Sequence, residues 1–246
     1  MRICVAQSKS VKGNIKINIK KHLRLIKHAI FEKADIIVFP ELSLTNYEPQ
    51  IAKDFVFNQS DSMLSEFQKI SDADNILIGV GLPTQSSRGI HISMIIVQPN
   101  QPHLTYSKQI LHSDEYPYFV NGEIQIILEV QNCKIGPAIC YESLQEEHFK
   151  NTLELGVDIY IASTKMSKNG TERALSHYSK MAKKYKIPVL MSNSIGLCDN
   201  FESVGQSSVW DEQGNLIGQL DSKNEGILIF DTTTKEITKK QITITL

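Results

Sequence analysis

The stretch Asp35-Ile36-Ile37-Val38-Phe39-Pro40-Glu41 decides the fold, because a run of large apolar residues ends abruptly at a proline. Such a run indicates a strand that is buried on both faces, as the central strands of parallel sheets are. Ile3–Gln7 has the same character, and Asn14–Lys33 between them carries apolar residues three and four positions apart, which predicts a helix. A second helix around residues 63–70 and a third strand, Ile76–Val80, complete a predicted βαβαβ unit with parallel pairing.

The rest of the chain continues the alternation of strands and helices. The predicted strands are His91–Gln98, Pro102–Ser107, Ile124–Val130, Lys134–Cys140, Val157–Ala162, Ile187–Ser192, Ser203–Trp210, Leu216–Leu220 and Gly226–Asp231, and the predicted helices are Leu144–Leu155 and Thr171–Tyr185. No linker or repeat interrupts residues 1–234, which predicts a single α/β domain with two sheets covered by helices. Residues 235–246 are polar and rich in Thr and Lys, and we expect an extended C-terminal arm.

Composition argues against several classes of partner. The 246 residues include 26 Lys and Arg against 27 Asp and Glu, a net charge of −1, so neither nucleic acid nor an anionic membrane is expected to bind. No apolar run approaches the ~20 residues that cross a bilayer. The four cysteines and seven histidines lack metal-ligand spacing, so we expect neither a metal nor a cofactor. The first residues enter a strand without a leader pattern, which predicts a cytoplasmic protein.

Three residues with useful chemistry stand just beyond predicted strands. Glu41 and Cys140 each come at the carboxyl end of a buried strand, where ligands collect in parallel sheets. Lys108 follows the strand Pro102–Ser107 and precedes a polar and aromatic loop. Taken singly, each has an ordinary structural interpretation: a core thiol, a turn carboxylate and a surface lysine.

Together the three residues suit amide hydrolysis, which needs a nucleophile, a base to activate it and positive charge near the developing oxyanion. The Cys140 thiol would be the nucleophile, Glu41 the general base and Lys108 the cation. If a helix begins just after Cys140, the backbone N–H of Tyr141 adds a second donor to the oxyanion. Tyr47 and Tyr141 neighbour the proposed site, and Ser163 and Thr164 end the strand Val157–Ala162, so these four are candidate substrate contacts.

The sequence motifs around these residues resemble those of the nitrilase (carbon–nitrogen hydrolase) superfamily. The matching segments are Phe39–Tyr47 for the glutamate box, Tyr106–Leu111 for the lysine box, Ile135–Glu142 for the cysteine box, and Pro188–Gly196 and Gly205–Asp211 as supporting matches. They occur in the family's order and cover nearly the whole chain. Asn46 departs from the family pattern, since many members carry glycine before the tyrosine; asparagine tolerates the same left-handed backbone.

The resemblance implies a four-layer α-β-β-α sandwich, a homodimer or higher homo-oligomer, and a Glu-Lys-Cys triad acting through a thioester. It also implies a second glutamate a few residues past the lysine, which is Glu115 in this sequence, with Asp114 as the competing assignment. The expected activity is cleavage of a non-peptide C–N bond in a small linear amide or N-carbamoyl compound. Nitrile hydrolysis, acyl transfer and a non-enzymatic binding role on the same scaffold are the alternatives.

Overall fold

Two β-sheets lie at the centre of the computed structural model, which describes residues 1–57 and 62–242. The strands are β1 (Arg2–Gln7), β2 (Ile36–Val38), β3 (Leu77–Ser86), β4 (Gly89–Gln98), β5 (Gln101–Ser107), β6 (Leu128–Val130), β7 (Cys133–Ile139), β8 (Ile159–Thr164), β9 (Val189–Asn193), β10 (Ile195–Cys198), β11 (Phe201–Val204), β12 (Ser208–Trp210), β13 (Leu216–Gln219), β14 (Gly226–Asp231) and β15 (Ile237–Gln241). The α-helices are α1 (Ile15–Phe31), α2 (Ser65–Asp74), α3 (Glu146–Glu154) and α4 (Lys168–Tyr185).

The seven-stranded sheet has the order β15-β14-β1-β2-β3-β4-β5, and the six-stranded sheet has the order β13-β12-β9-β8-β7-β6. Each sheet contains one parallel core of three strands, β1-β2-β3 in the first and β7-β8-β9 in the second. The remaining pairs in the two sheets are antiparallel. Strands β10 and β11 form a separate antiparallel hairpin.

The apolar side chains divide into three layers that define the architecture. One cluster lies between the two sheets and combines, for example, Val5 and Val38 with Ile139 and Ile161. A second cluster packs α1 and α2 against the outer face of the seven-stranded sheet, and a third packs α3 and α4 against the outer face of the six-stranded sheet. The molecule is therefore a four-layer α-β-β-α sandwich, and the predicted fold class is confirmed.

Local chemistry explains where the two long helices begin. The Asn14 side chain accepts a hydrogen bond of 3.1 Å from Ile17 N at the start of α1, and Ser167 caps α4 by accepting from Gly170 N. These caps satisfy backbone donors that have no partner within the helix. α1 buries Leu25, Ile26 and Ala29 against the sheet, and Ile19, Leu23 and Ile30 pack partly buried beside them.

The structure differs from the sequence prediction in several elements. The predicted helix Leu144–Leu155 is confirmed as the shorter α3, Glu146–Glu154, and a 3₁₀ helix over Cys140–Leu144 that was not predicted precedes it. The predicted strand Ser203–Trp210 is divided into β11 and β12, because Gly205 and Gln206 have φ of 62° and 58° and break the extended run. The predicted strand Ile76–Val80 continues further in the structure, because β3 runs from Leu77 to Ser86 and pairs with β4 along its length.

The C-terminal segment adds a strand to the first sheet. β15 pairs with β14 in antiparallel register, so the described part of the predicted arm forms an edge of the seven-stranded sheet. Residues 243–246 of that predicted arm lie outside the described residues. The division into a domain of residues 1–234 and an arm stays a prediction.

Candidate active site

Glu41 is held in a tight turn directly after β2 and is 2 % exposed. The turn packs against β3 so closely that a Cβ on Gly81 would lie 2.3 Å from Leu42 N and 2.8 Å from Pro40 O. Glycine at this strand position therefore allows the close approach of two backbones that places the Glu41 carboxylate.

Lys108 follows β5 and points its ammonium at two carboxylates. Its Nζ donates hydrogen bonds of 2.9 Å to Glu41 Oε1 and 2.7 Å to Glu115 Oε1. All three side chains are almost completely buried, with exposures of 1 % for Lys108 and 2 % for each glutamate. Charge-assisted bonds in this low-dielectric setting fix the position of the ammonium.

Glu115 has three hydrogen-bond donors around its carboxylate. Besides Lys108, Tyr47 Oη donates to Oε1 at 3.1 Å and His112 N donates to Oε2 at 2.8 Å; these three contacts come from separate parts of the pocket wall. Asp114, the competing assignment, instead contacts His112 Nδ1 at 2.6 Å in an exposed position. The structure therefore brings Glu115, not Asp114, to Lys108.

Cys140 ends β7 and begins the 3₁₀ helix, with a left-handed φ of 49°. This conformation is uncommon outside glycine and asparagine and is often found at functional sites. Its partly buried Sγ lies 3.7 Å from Lys165 O, and Cys140 lines the same cavity as Glu41 and Lys108. The thiol, the carboxylate and the ammonium thus meet in one recess.

Electrostatics keep the Cys140 proton on sulfur in the resting site. Burial, reinforced by the charge of Glu41, raises the pKa of Cys140 well above its ordinary value. Burial also raises the pKa of Glu41, an effect that Lys108 opposes. Burial alone would lower the pKa of Lys108, but the charges of Glu41 and Glu115 outweigh it and hold the pKa above its ordinary value. The site therefore places a neutral thiol beside the carboxyl group of Glu41 and the ammonium of Lys108.

A buried carboxylate ties together the segments that carry Lys108 and Cys140. Glu142 accepts hydrogen bonds from Ile139 N at 2.7 Å, just before Cys140, and from Gln109 N at 2.5 Å, just after Lys108. It also accepts from Ile110 N at 3.2 Å and from Tyr106 Oη at 2.6 Å. Burial raises the pKa of Glu142 to about 7, against the effect of these donors. Glu142 is fixed and in turn fixes two neighbouring backbones.

A cavity of about 180 Å³ opens onto these groups. Glu41, Lys108, Glu115 and Cys140 all line it. The substrate-contact candidates Tyr47 and Tyr141 line it as well, and the Tyr141 ring lies edge-on to His112 with 4.9 Å between ring centroids.

The structure does not bring Ser163 and Thr164 into the cavity. Ser163 Oγ donates to Phe39 O at 2.8 Å, and Thr164 Oγ1 donates to Ser192 O at 3.0 Å. Both hydroxyls are buried and serve the packing of β8 against its surroundings. The next residue, Lys165, lines the cavity in their place.

Several pocket residues were absent from the sequence-based set. Lys165 and Arg173 bring positive charge to the wall, and Met166 and Phe201 bring apolar surface. A lysine at the carboxyl end of an apolar strand is the signal that could have revealed Lys165. In the described part of the chain, no cluster of three or more His, Cys, Asp or Glu side chains could hold a metal ion. None of the described helices has the length and apolar character needed to cross a membrane.

Comparison with known proteins adds a family to this geometry. A family model described as carbon-nitrogen hydrolase matches residues 2–240. The chain is 24% identical over 270 residues to the glutamine-dependent NAD(+) synthetase of Synechocystis sp., covering 98% of this chain and 48% of that protein. A probable nitrilase of Schizosaccharomyces pombe is 23% identical, with 92% of this chain and 86% of that protein covered. The chain spans about half the length of the synthetases that it matches.

Solved structures agree on the fold. The amidase from Nesterenkonia sp. AN1 superposes with a TM-score of 0.86 at 21% identity, covering 96% of this chain and 94% of that one. The glutamine-dependent NAD+ synthetase from Acinetobacter baumannii superposes with a TM-score of 0.80 at 22% identity, covering 100% of this chain and 48% of that one.

Proposed function

Because the chain belongs to the carbon-nitrogen hydrolase family, we propose that it hydrolyses a non-peptide C–N bond in a small linear amide or N-carbamoyl compound, releasing ammonia or an amine. The observation that carries this proposal is the ammonium of Lys108 held between Glu41 and Glu115 in the cavity that Cys140 also lines. A nucleophile, a base and a cation are the groups that amide hydrolysis requires.

In the first half of the reaction, Glu41 takes the thiol proton as Cys140 Sγ attacks the amide carbon. Because the pKa of Cys140 is raised, we place this proton transfer during the attack rather than before it. Lys108 and the backbone N–H of Tyr141 stabilise the oxyanion. Tyr141 lies in the first turn of the 3₁₀ helix, where N–H groups have no partner within the helix. Loss of one such donor typically raises the barrier by about 2.7–4 kcal/mol.

Glu41 then gives its proton to the departing nitrogen, and the C–N bond breaks to leave a thioester on Cys140. In the second half, Glu41 removes a proton from water as the water oxygen attacks the thioester carbon. The C–S bond breaks, the thiolate regains a proton from Glu41, and the carboxylic acid leaves. The net reaction adds one water across the C–N bond.

Glu115 acts through Lys108 in this proposal. Its carboxylate, with donors from Tyr47 and His112, holds the ammonium where both Glu41 and the oxyanion can reach it. We assign Glu115 a positioning role rather than a proton-transfer role, because Lys108 stands between it and Glu41.

The test is ammonia release from a panel of ω-amides, N-carbamoyl amines and nitriles. Glutamine belongs in the panel, since the similar synthetases are named glutamine-dependent. We expect turnover of at least one amide or carbamoyl compound and a Cys140-linked acyl adduct in the intact mass. Equal turnover by Cys140→Ala would refute Cys140 as the nucleophile.

Other outcomes of the same panel favour the alternative functions. A response to nitriles alone would favour nitrile hydrolysis, and transfer of the acyl group to an added amine would favour an acyltransferase. Absence of turnover together with unselective labelling of Cys140 by iodoacetamide would favour a binding protein. A homodimer stays a prediction, which sedimentation velocity tests, and the cytoplasmic location also stays a prediction.

A further inference from the structure

Lys165 is a buried cation in the wall of the cavity. It follows β8, is 3 % exposed, and its carbonyl oxygen lies 3.7 Å from Cys140 Sγ. Within residues 1–57 and 62–242, its ammonium forms no ion pair, and its hydrogen-bond partner is the neutral side chain of Asn46, at 2.6 Å. An ammonium has three N–H donors, so two are left for a ligand.

Asn46 is itself fixed in orientation. Its Nδ2 donates to Glu48 Oε1 at 2.9 Å and to Leu197 O at 3.1 Å, which uses both amide protons and turns Oδ1 toward Lys165. Its backbone is left-handed, with φ of 70°. Asn46 thus occupies a position that favours glycine, and its side chain clamps the Lys165 ammonium.

The two lysines of the cavity differ in how their charges are balanced. Lys108 has two carboxylates within 3 Å, at 2.9 Å and 2.7 Å, whereas Lys165 has none among the described residues. Burial lowers the pKa of Lys165 to about 8, which records the cost of holding this charge away from water. An anion that enters the cavity would offset that cost by forming the missing ion pair.

We propose that Lys165, clamped by Asn46, is a specificity-determining residue that binds a carboxylate at the end of the substrate remote from the scissile amide. Arg173 lies at the same wall and adds a second, exposed cation, while Met166 and Phe201 offer apolar surface for the methylene groups between the two ends. The substrate class is therefore a short-chain amide that also carries a carboxylate. This inference rests on the proposed function of the same cavity.

The experiment compares two ligands of equal chain length that differ in charge, glutaric acid monoamide and pentanamide. Their dissociation constants are measured by calorimetry in the Cys140→Ala background, where turnover cannot interfere. We expect the monoamide to bind at least about tenfold more tightly than pentanamide, the size of one charge-assisted contact. Lys165→Met in that background should abolish this ratio, because the monoamide loses the ion pair that pentanamide never forms.

Matched variants separate binding from folding. Lys168→Met removes an exposed lysine three positions away and should keep the ratio. Asn46→Gly keeps the left-handed backbone but removes the clamp, and should reduce the ratio without abolishing it. Thermal unfolding of each variant verifies folding, and Asn46→Gly decides the matter if Lys165→Met does not fold.

The results distinguish this inference from the proposed function. An unchanged ratio in Lys165→Met, or equal affinity of both ligands for the parent protein, overturns the role of Lys165. If the active enzyme hydrolyses both amides with equal kcat/KM, the carboxylate preference fails and the proposed hydrolysis stands. If neither amide is hydrolysed but the binding ratio depends on Lys165, the hydrolysis fails and the carboxylate site stands.

Discussion

Glu41 and Glu115 approach the same ammonium, that of Lys108, from two different segments of the chain, at 2.9 Å and 2.7 Å. Neither carboxylate forms another ion pair in the described residues. Each therefore depends on one cation for charge compensation, which makes Lys108 a structural residue as well as a candidate catalytic one.

Replacement of Lys108 by methionine should lower the free energy of unfolding by about 3–5 kcal/mol, because two buried carboxylates lose their partner. Urea unfolding measures this. Lys184→Met, which removes an exposed ion pair with Glu146, is the control and should change stability by less than about 1 kcal/mol. Adding Glu115→Gln to the Lys108 variant should recover part of the loss. If Lys108→Met changed the free energy of unfolding as little as Lys184→Met does, the two buried carboxylates would not depend on Lys108 for charge compensation.

The raised pKa of Cys140 predicts how fast the thiol reacts with iodoacetamide in the absence of substrate. Only the thiolate is the effective nucleophile, and burial keeps the thiol protonated. The alkylation rate should therefore rise with pH from 7 to 9 without levelling off. Mass spectrometry of peptides containing Cys140 measures the rate, with Cys140→Ala as the blank. A plateau below about pH 8, near the ordinary thiol value, would mean that the pKa is not raised.

Glu142→Gln should lower kcat by loosening both segments that it joins. A glutamine presents one oxygen and one NH₂ group, so the NH₂ end would face backbone donors that now bind the carboxylate. Stability should fall by about 1–3 kcal/mol for the unsatisfied groups. Glu147→Gln, on the exposed side of α3, is the matched control. If Glu142→Gln has the same kcat as the unaltered protein at a temperature where the variant is folded, Glu142 does not position Lys108 and Cys140.

Gly81→Ala should displace the turn that carries Glu41, because the new Cβ would lie 2.3 Å from Leu42 N. Backbone atoms cannot yield without moving the turn, so activity should fall more than tenfold, about 1.4 kcal/mol of barrier. Gly79→Ala is a control within the same strand, since its Cβ would meet the Met94 sulfur at 3.2 Å and a flexible side chain can adjust. Equal activities of the two variants would contradict a role for the close approach.

The affinity for glutaric acid monoamide should fall as pH rises through about 8, where the Lys165 ammonium of the free protein loses its charge. Desolvation lowers this pKa, and the carboxylates of Glu41 and Glu48 act in the opposite direction. Calorimetric titration from pH 6.5 to 9.5 measures the trend, and pentanamide should show none of it. A constant affinity for the monoamide across this range would mean that the ammonium does not bind the carboxylate.

Much of the fold was predictable because burial leaves a periodic signature. The apolar runs at β1, β2 and β8 and the stripe of α1 were recognised from spacing alone, and their alternation predicted parallel strands. The hairpin β10-β11 was not predicted, because Ile195–Cys198 lay outside the predicted strands and Phe201–Val204 overlapped the predicted strand Ser203–Trp210 only at its first two residues. Left-handed backbone at Gln206 and Cys140 interrupts strands in ways that no composition pattern marks.

At the end of β8, the predicted cavity residues differ by one position from the residue that lines the cavity. Ser163 and Thr164 were chosen at the end of β8, whereas the structure turns the next residue, Lys165, toward the cavity. Consecutive side chains point in alternate directions, so a small error in the strand end exchanges a core hydroxyl for a pocket cation. The partner of Lys165, Asn46, lies 119 positions away, a separation that local pattern cannot bridge.

Glu41 and Lys108 are carried by β2 and β5 of one sheet, while Cys140 and Lys165 are carried by β7 and β8 of the other. The cavity therefore lies between the two sheets, and each sheet contributes one of its walls. The width of the cavity depends on how the two sheets pack on the apolar core between them. Replacing Val38 or Ile161 by a smaller residue alters no polar group, yet it would change the distance between the Glu41 carboxyl group and Cys140 Sγ. The rate of the reaction at this site therefore depends on the packing between the two sheets.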